Sequence, residues 1–323
     1  MEAQRILITG GAGYLGSVIT AHFLERGNSI TCIDTLRYGQ QSPLQFVTNS
    51  HFTFIYGDVR DTRLMRDLVP KHDILFPLAA LVGAPACDLY PEDAASINRD
   101  AVIMLNGLRS AEQKLIYPTT NSGYGTTTAE KECDENSPLN PISHYGKTKA
   151  AAEYVLLQDD KPCIAFRLAT IFGMSPRPRL DLLVNDLTYR ALSTKKIDLF
   201  EKRFMRNFIH IKDVARVFDF ALTSYDSMAR TRLYNVGNTD LNISKEQLVQ
   251  RIASQVSDLE ITEDTEGKDP DQRNYIVSNH RLSMEGFFFT KTLEQGISEI
   301  INAYPLLSTP SIQNIAYNNK RLS

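Results

Sequence analysis

Residues 5–26, RILITGGAGYLGSVITAHFLER, decide the fold. Arg5–Thr9 is a short apolar run that ends on glycines, the signature of a strand running into a turn. From Tyr14 the spacing becomes helical: Leu15, Val18, Ile19, His22 and Phe23 fall near one face, and Gly27 ends the segment. Between them stand Gly10, Gly13 and Gly16, in the spacing G-x-x-G-x-x-G. The first glycine permits a sharp turn, the second lets backbone approach a pyrophosphate, and the third lets helix and strand pack closely. Phosphates would rest on the helix N-terminus, where N–H groups and the helix dipole favour anions.

Outward from this unit the alternation continues. Strands are predicted at Ser29–Asp34, Phe52–Tyr56, Asp73–Leu78, Lys114–Tyr117 and Cys163–Ala169, with helices at Thr62–Val69, Ala94–Glu112 and His144–Gln158 between them. Strands alternating with helices imply right-handed crossovers. The expected fold class is α/β, a Rossmann-type doubly wound parallel sheet with a smaller C-terminal α/β substrate lobe. Residues 1–173 would form the dinucleotide-binding domain, with returning segments from the C-terminal half. After Gly173, Pro176 and Pro178 break the pattern, and helices near Leu180–Ser193, Asp213–Ser224, Lys245–Val256 and Leu293–Ala303 assign residues 174–323 to a lobe over the carboxyl edge of the sheet. The Ser- and Asn-rich stretch from Leu306 reads as a loosely held tail.

The bulk numbers exclude several classes. The 323 residues carry a formal charge of −3, too near zero to attract a polyanion, so no nucleic-acid partner is expected. No apolar run reaches the roughly 18 residues of a membrane span, and a strand begins too early to leave room for a leader. Cys32, Cys87, Cys133 and Cys163 are far apart and form no C-x-x-C pair, so reduced thiols, no metal site and a cytoplasmic location are expected.

Asp34 ends the second strand, 24 residues after Gly10. A carboxylate there accepts hydrogen bonds from an adenosine ribose and repels a 2′-phosphate, which selects NAD over NADP. Arg37 is the one dissenting neighbour. Asp58 and Val59, after the third strand, are placed for the adenine edge, although a turn would use the same residues.

Tyr145-Gly-Lys-Thr-Lys149 puts a phenol and an ammonium four residues apart on one helix face. A free tyrosine titrates near 10; bringing it to about 7 requires roughly 4 kcal/mol of preference for phenolate. A nearby ammonium and a cationic nicotinamide ring supply that preference. The phenolate then removes a substrate hydroxyl proton as hydride leaves the carbon for NAD. The fifth strand runs into Pro118–Gly125 at the carboxyl end of the sheet, where Thr120 is the candidate to orient that hydroxyl.

Taken together, TGGAGYLG, GDVRD, PLAALVGAP, TTNSGYG, PLNPISHYGKTK, RNFIHIKDVA and YNVG resemble, in order, the extended short-chain dehydrogenases that act on nucleotide sugars. The resemblance runs from about Arg5 to Ala303. It implies that Gly10, Gly13, Tyr14, Leu15, Gly16, Asp34, Asp58, Val59, Leu78, Ala79, Ala80 and Leu168 bind NAD together with Tyr145 and Lys149. It implies Tyr145 as base, Lys149 as its partner and Thr120 as the hydroxyl at the third catalytic position. On the substrate side it implies Thr120, Asn121, Thr170, Arg179, Leu183, Arg206 and Arg273 against a nucleotide-diphospho-sugar, the arginines suited to it by their planar fork. It also implies a homodimer through the helices predicted at Ala94–Glu112 and in the Tyr145–Gln158 stretch.

Two departures narrow the chemistry. The family's 4,6-dehydratases carry Asp-Glu after the catalytic Thr; here Asn121 and Ser122 follow it, and neither supplies that acid/base pair. Its epimerase/reductases use a Cys that corresponds to Ser122. RLATIFGMSPRPRLDLLVND and DPDQRNYIVSN are similar to a subgroup from bacterial surface-polysaccharide pathways that includes GDP-heptose 4-dehydrogenases. The expected enzyme is therefore an NAD-dependent C4 oxidoreductase giving a 4-keto sugar. The alternative is a 4-epimerase using the same residues, and a cofactor-sensing protein without turnover is the third reading.

Overall fold

The computed structural model describes residues 3–127, 132–263, 274–307 and 317–319. Its strands are β1 (Arg5–Thr9), β2 (Ser29–Asp34), β3 (Phe52–Tyr56), β4 (Ile74–Pro77), β5 (Lys114–Thr120), β6 (Ile164–Leu168), β7 (Thr170–Phe172), β8 (Lys196–Leu199), β9 (Met205–His210), β10 (Leu233–Val236), β11 (Asn238–Ser244) and β12 (Glu260–Glu263). Seven of them form one sheet in the order β10-β6-β5-β4-β1-β2-β3, every pairing parallel. The chain builds outward from β1 to β3, then returns to β4 on the other side of β1. That reversal opens a crevice at the carboxyl ends of β1 and β4, where doubly wound sheets take their ligands.

Both faces of the sheet are covered. Ile6, Ile8, Phe76 and Phe166 point to one side, against Ile19 and Phe23 of the Tyr14–Glu25 helix and Val214 and Phe218 of the Ile211–Thr223 helix. Leu7, Leu75, Leu115 and Tyr117 point to the other, against Val102 and Leu105 of the Ala101–Leu108 helix and Ala152 and Leu156 of the His144–Gln158 helix. The alternation Ile6/Leu7/Ile8 is the two-residue period of a strand whose faces are both dry. A second core, centred on Phe172, Phe208, Leu187, Ile243, Leu248 and Ile297, lies beneath the small sheet β11-β9-β7. β10 and the Ile211–Thr223 helix come from the second half of the chain yet complete the main sheet and its cover.

Three sequence expectations change. The helix expected over Ala94–Glu112 begins earlier, at Pro91, and ends at Leu108, with a wider π turn over Ser96–Asp100. Proline at the first helical position lacks only an N–H that would have no intrahelical partner anyway. At the other end Arg109 turns extended, and its buried guanidinium binds Asn106 Oδ1 at 2.8 Å and the Gln113 carbonyl at 3.0 Å. Strand β5 runs three residues beyond Tyr117, through Pro118. Its pairing with β4 has stopped at Leu115, so no β4 carbonyl waits for the N–H that Pro118 lacks, while pairing with β6 continues to Thr120. Finally, Tyr317–Asn319 of the supposed tail are packed: the Leu180 N–H donates to the Tyr317 carbonyl at 2.8 Å, and Asn318 and Asn319 are buried.

Phe218 is fully buried and meets Phe76 and Phe166 edge-on, at 5.1 and 5.5 Å between ring centroids. Phe218→Ala is expected to cost about 3–5 kcal/mol, the usual range for removing a buried aromatic. A urea-unfolding midpoint equal to that of the parent would contradict this packing.

Candidate active site

The glycine turn closes on the neighbouring strand so tightly that side chains are excluded. A Cβ on Gly10, whose φ is +71°, would lie 2.6 Å from the Ala79 backbone just after β4; one on Gly16 would strike the Gly10 carbonyl oxygen and lie 2.6 Å from the Gly11 Cα. The helix that follows is capped at Gly13, and among the described residues no side chain caps its first N–H groups. An anion placed in the crevice would therefore meet bare backbone donors at a helix N-terminus.

One cavity of about 880 Å³ extends from this turn. Gly10, Gly13, Tyr14, Leu15, Gly16, Asp34, Asp58, Val59, Leu78, Ala79, Ala80 and Leu168 line it, and so do Thr120, Tyr145, Lys149, Thr170, Arg179, Leu183 and Arg206. Asn121 does not line it: its side chain is buried beside Thr120, and neither polar atom has a hydrogen-bond partner among the described residues. Arg273 lies outside the described residues.

Asp34 accepts from the Ala12 N–H at 3.1 Å, the Leu36 N–H at 2.9 Å and Gln40 Nε2 at 3.2 Å. Burial pushes its carboxyl above the usual carboxylate range, and the backbone donors work against that. The dissenting Arg37 is already occupied: it pairs with Asp93 at 2.8 Å and lies over the Tyr90 ring. Asp93 also takes Arg60, which holds the Asp58 carboxylate at 2.7 Å and keeps Asp58 below the ordinary range. Among the described residues, the shape and charge of this end fit a dinucleotide carrying an unmodified adenosine ribose.

Tyr145 and Lys149 stand on successive turns of the His144–Gln158 helix, which begins at a Ser143 cap accepting the Gly146 N–H at 3.1 Å. Lys149 is buried, its Nζ 4.2 Å from the centre of the Tyr117 ring. Burial brings its ammonium down to about 7, against the opposing pull of Glu153 one turn on. Glu153 is itself fixed by the buried Arg167, whose Nη2 and Nε donate to it at 2.6 and 3.0 Å. Sequence reading missed this second pair; its only signal was a Glu four residues after Lys149. Thr120 accepts the Ser122 N–H at 3.1 Å and donates to the Ser122 hydroxyl at 2.9 Å, so its oxygen caps the turn as well as facing the cavity. Arg179, expected on the substrate side, lines the cavity and forms a forked pair with Asp181 at 2.6 and 2.8 Å, and its charge is felt by Tyr14 beside the glycine turn. The sequence also missed Lys245, a buried ammonium on the cavity wall between Phe200 and Phe204.

Comparison with known proteins fits this geometry. The model of the NAD dependent epimerase/dehydratase family matches residues 6–237, more than two thirds of the chain. The low-salt glycan biosynthesis protein Agl12 of Haloferax volcanii is 24% identical over 313 residues, covering 93% of this chain and 98% of the relative. Among solved structures, the dTDP-glucose 4,6-dehydratase of Bacillus anthracis in complex with NAD superposes with a TM-score of 0.81 at 21% identity, over 99% of this chain and 100% of that one. The UDP-N-acetylglucosamine 4-epimerase of Methanobrevibacter ruminantium M1, in complex with UDP-N-acetylmuramic acid, gives 0.80 at 21% identity, over 94% and 99%. No helix among the described residues is long and apolar enough to cross a membrane.

The Lys149 environment has a consequence for stability. Its ammonium is disfavoured in the fold and unhindered in the unfolded chain, so the unfolded state binds more protons between about pH 7 and the usual lysine range. The penalty is full below pH 7 and fades as pH rises above it. In the protein without cofactor, the advantage of Lys149→Met in unfolding free energy is expected to shrink steadily from pH 6.5 to pH 10. A pH-independent difference would contradict the burial of a titrating amine there.

Proposed function

We propose that this chain, which belongs to the NAD dependent epimerase/dehydratase family, oxidises the C4 hydroxyl of a nucleotide-diphospho-sugar to a 4-keto sugar. In this reading the sugar is of the GDP-heptose kind and the product feeds surface-polysaccharide synthesis. The observation that carries it is the pair of positions after Thr120. Asn121 and Ser122 are an amide and a hydroxyl, so neither offers a carboxylate for elimination beside the oxidised carbon. With Tyr145, Lys149 and Thr120 lining one cavity, what remains is removal of one proton and one hydride from a carbinol.

When bound, NAD+ accepts the hydride. Thr120 orients the substrate hydroxyl toward the Tyr145 oxygen, and Tyr145 takes its proton as general base. Lys149 stabilises the phenolate, and Glu153, held by Arg167, keeps a negative charge behind the lysine that favours its ammonium. The glycine turn and Asp34 hold the dinucleotide, with Asp58 and Val59 at the adenine. Residues 1–173 supply this cofactor side. The lobe of 174–323 supplies Leu183, Arg206 and Arg273 to the nucleotide sugar, with Thr170 at the junction. A homodimer through the Ala101–Leu108 and His144–Gln158 helices belongs to the same reading; Tyr154 stands 66% exposed on the second helix. Light scattering that returned the mass of one chain would rule the dimer out.

The runner-up, 4-epimerisation, needs the same three residues and returns the hydride to the other face of the sugar. A panel of UDP-, GDP-, CDP- and dTDP-sugars with NAD+ separates the two. The expected product is two mass units lighter with net NADH; an isomer of unchanged mass with no net NADH would establish the epimerase instead. With the responding sugar, Tyr145→Phe is expected to lower turnover by about 10²–10⁴ while leaving NAD+ affinity intact. A folded Tyr145→Phe protein with parental turnover would remove Tyr145 from the mechanism.

A further inference from the structure

The loop that leaves β7 does not run out over the substrate lobe; it folds back onto the start of the first helix. Gly173, at φ +101°, makes the turn, and a Cβ there would lie 2.6 Å from the His210 ring. The Tyr14 hydroxyl, at the first position of the helix after the glycine turn, donates to the Gly173 carbonyl at 2.7 Å. Asn185, fully buried, ties the loop together: its Oδ1 accepts the Gly173 N–H at 3.1 Å, and its Nδ2 donates to the Arg179 carbonyl at 2.9 Å. Two buried guanidiniums are thereby carried to the mouth of the turn. Arg179 is forked onto Asp181. Arg177 lies 4.8 Å from the centre of the Tyr38 ring, lines the cavity and is within electrostatic range of Asp34.

Arg177 is held there from an unexpected direction. Its Nη2 donates to Asn319 Oδ1 at 2.7 Å, and the Asn319 N–H returns to Asp181 Oδ2 at 3.3 Å. With the Leu180–Tyr317 backbone bond, these contacts strap Tyr317–Asn319 across the loop, and Asn319 also lines the cavity. Burial, and then the charge of Arg179, bring Arg177 down to about 10, so it is still a cation at neutral pH, in a place where a neighbouring anion is strongly favoured.

We propose that Arg177 binds the pyrophosphate of NAD from the side opposite the glycine turn, and that Asn319 is the positioning residue that aims it. The cofactor's phosphates then lie between bare backbone N–H groups on one side and a guanidinium on the other. The proposal rests on NAD use alone and holds whichever sugar is turned over.

Calorimetric titration of the full chain, stripped of cofactor, with NAD+, ADP, UDP and GDP tests it. Arg177→Met is expected to weaken NAD+ and ADP by about ten- to a hundredfold, the worth of a hydrogen bond to a charged group, and to leave UDP and GDP unchanged. Arg177→Lys, which keeps the charge and loses the fork, is expected to fall between the two and serves if the methionine variant does not fold. Asn319→Ala is expected to weaken NAD+ in the parent but to add nothing in the Arg177→Met background, a coupling that a merely structural strap would not produce. Unchanged NAD+ and ADP affinities would overturn the proposal. So would a loss confined to UDP or GDP, or an equal loss for all four probes accompanied by a lower melting temperature.

Discussion

The structure depends on one close approach. Gly10 touches the backbone at Ala79, and Gly16 touches Gly10 and Gly11, with no room for a Cβ at either contact. This seats the first turn of the Tyr14–Glu25 helix against the ends of β1 and β4, where the strand order reverses. A larger residue would lift the helix N-terminus off the crevice and remove the backbone donors that face it. The three catalytic candidates arrive from elsewhere, Thr120 on the extended end of β5 and Tyr145 with Lys149 on the His144–Gln158 helix. The sheet puts them on the wall of the same cavity because β5 lies beside β4.

A second constraint is electrostatic. Of three ionisable groups central to the site, Lys149 and Arg177 are buried and Asp34 is half-buried, and withdrawal from water pushes each toward its neutral form. Each also has something that favours its charge: backbone N–H groups for Asp34, the Glu153 carboxylate for Lys149, and Asp181 with Asp34 for Arg177. In the proposed reading a dinucleotide offers each the rest, as ribose hydroxyls to the carboxylate and amine and as phosphate to the guanidinium. Such a site costs stability when empty and favours retention of its cofactor.

Much of this was legible in the sequence because it is local. The strands β1, β2 and β3 follow from apolar runs bounded by glycine and asparagine, and the glycine spacing placed the turn. Tyr145 and Lys149 were visible as a four-residue spacing on a helix. What could not be read were pairings between distant segments. Nothing in the sequence says that Arg37 spends its charge on Asp93, that Arg179 forks onto Asp181, or that Asn319 reaches back to Arg177. The helix at Ala84–Leu89 was missed because six residues are too few to display a period. The extension of β5 through Pro118 depends on where β4 stops, which only the register reveals.

The central claim is that a hydride leaves C4 of the sugar beside Tyr145 and Lys149. It is tested most directly by a single turnover with the responding nucleotide sugar deuterated at C4, followed by mass analysis of the cofactor released on denaturation. The account predicts deuterium in the reduced nicotinamide, with none from the same sugar labelled at C3 or C5. Unlabelled cofactor from the C4-deuterated sugar, or label arriving from C3 or C5, would contradict it.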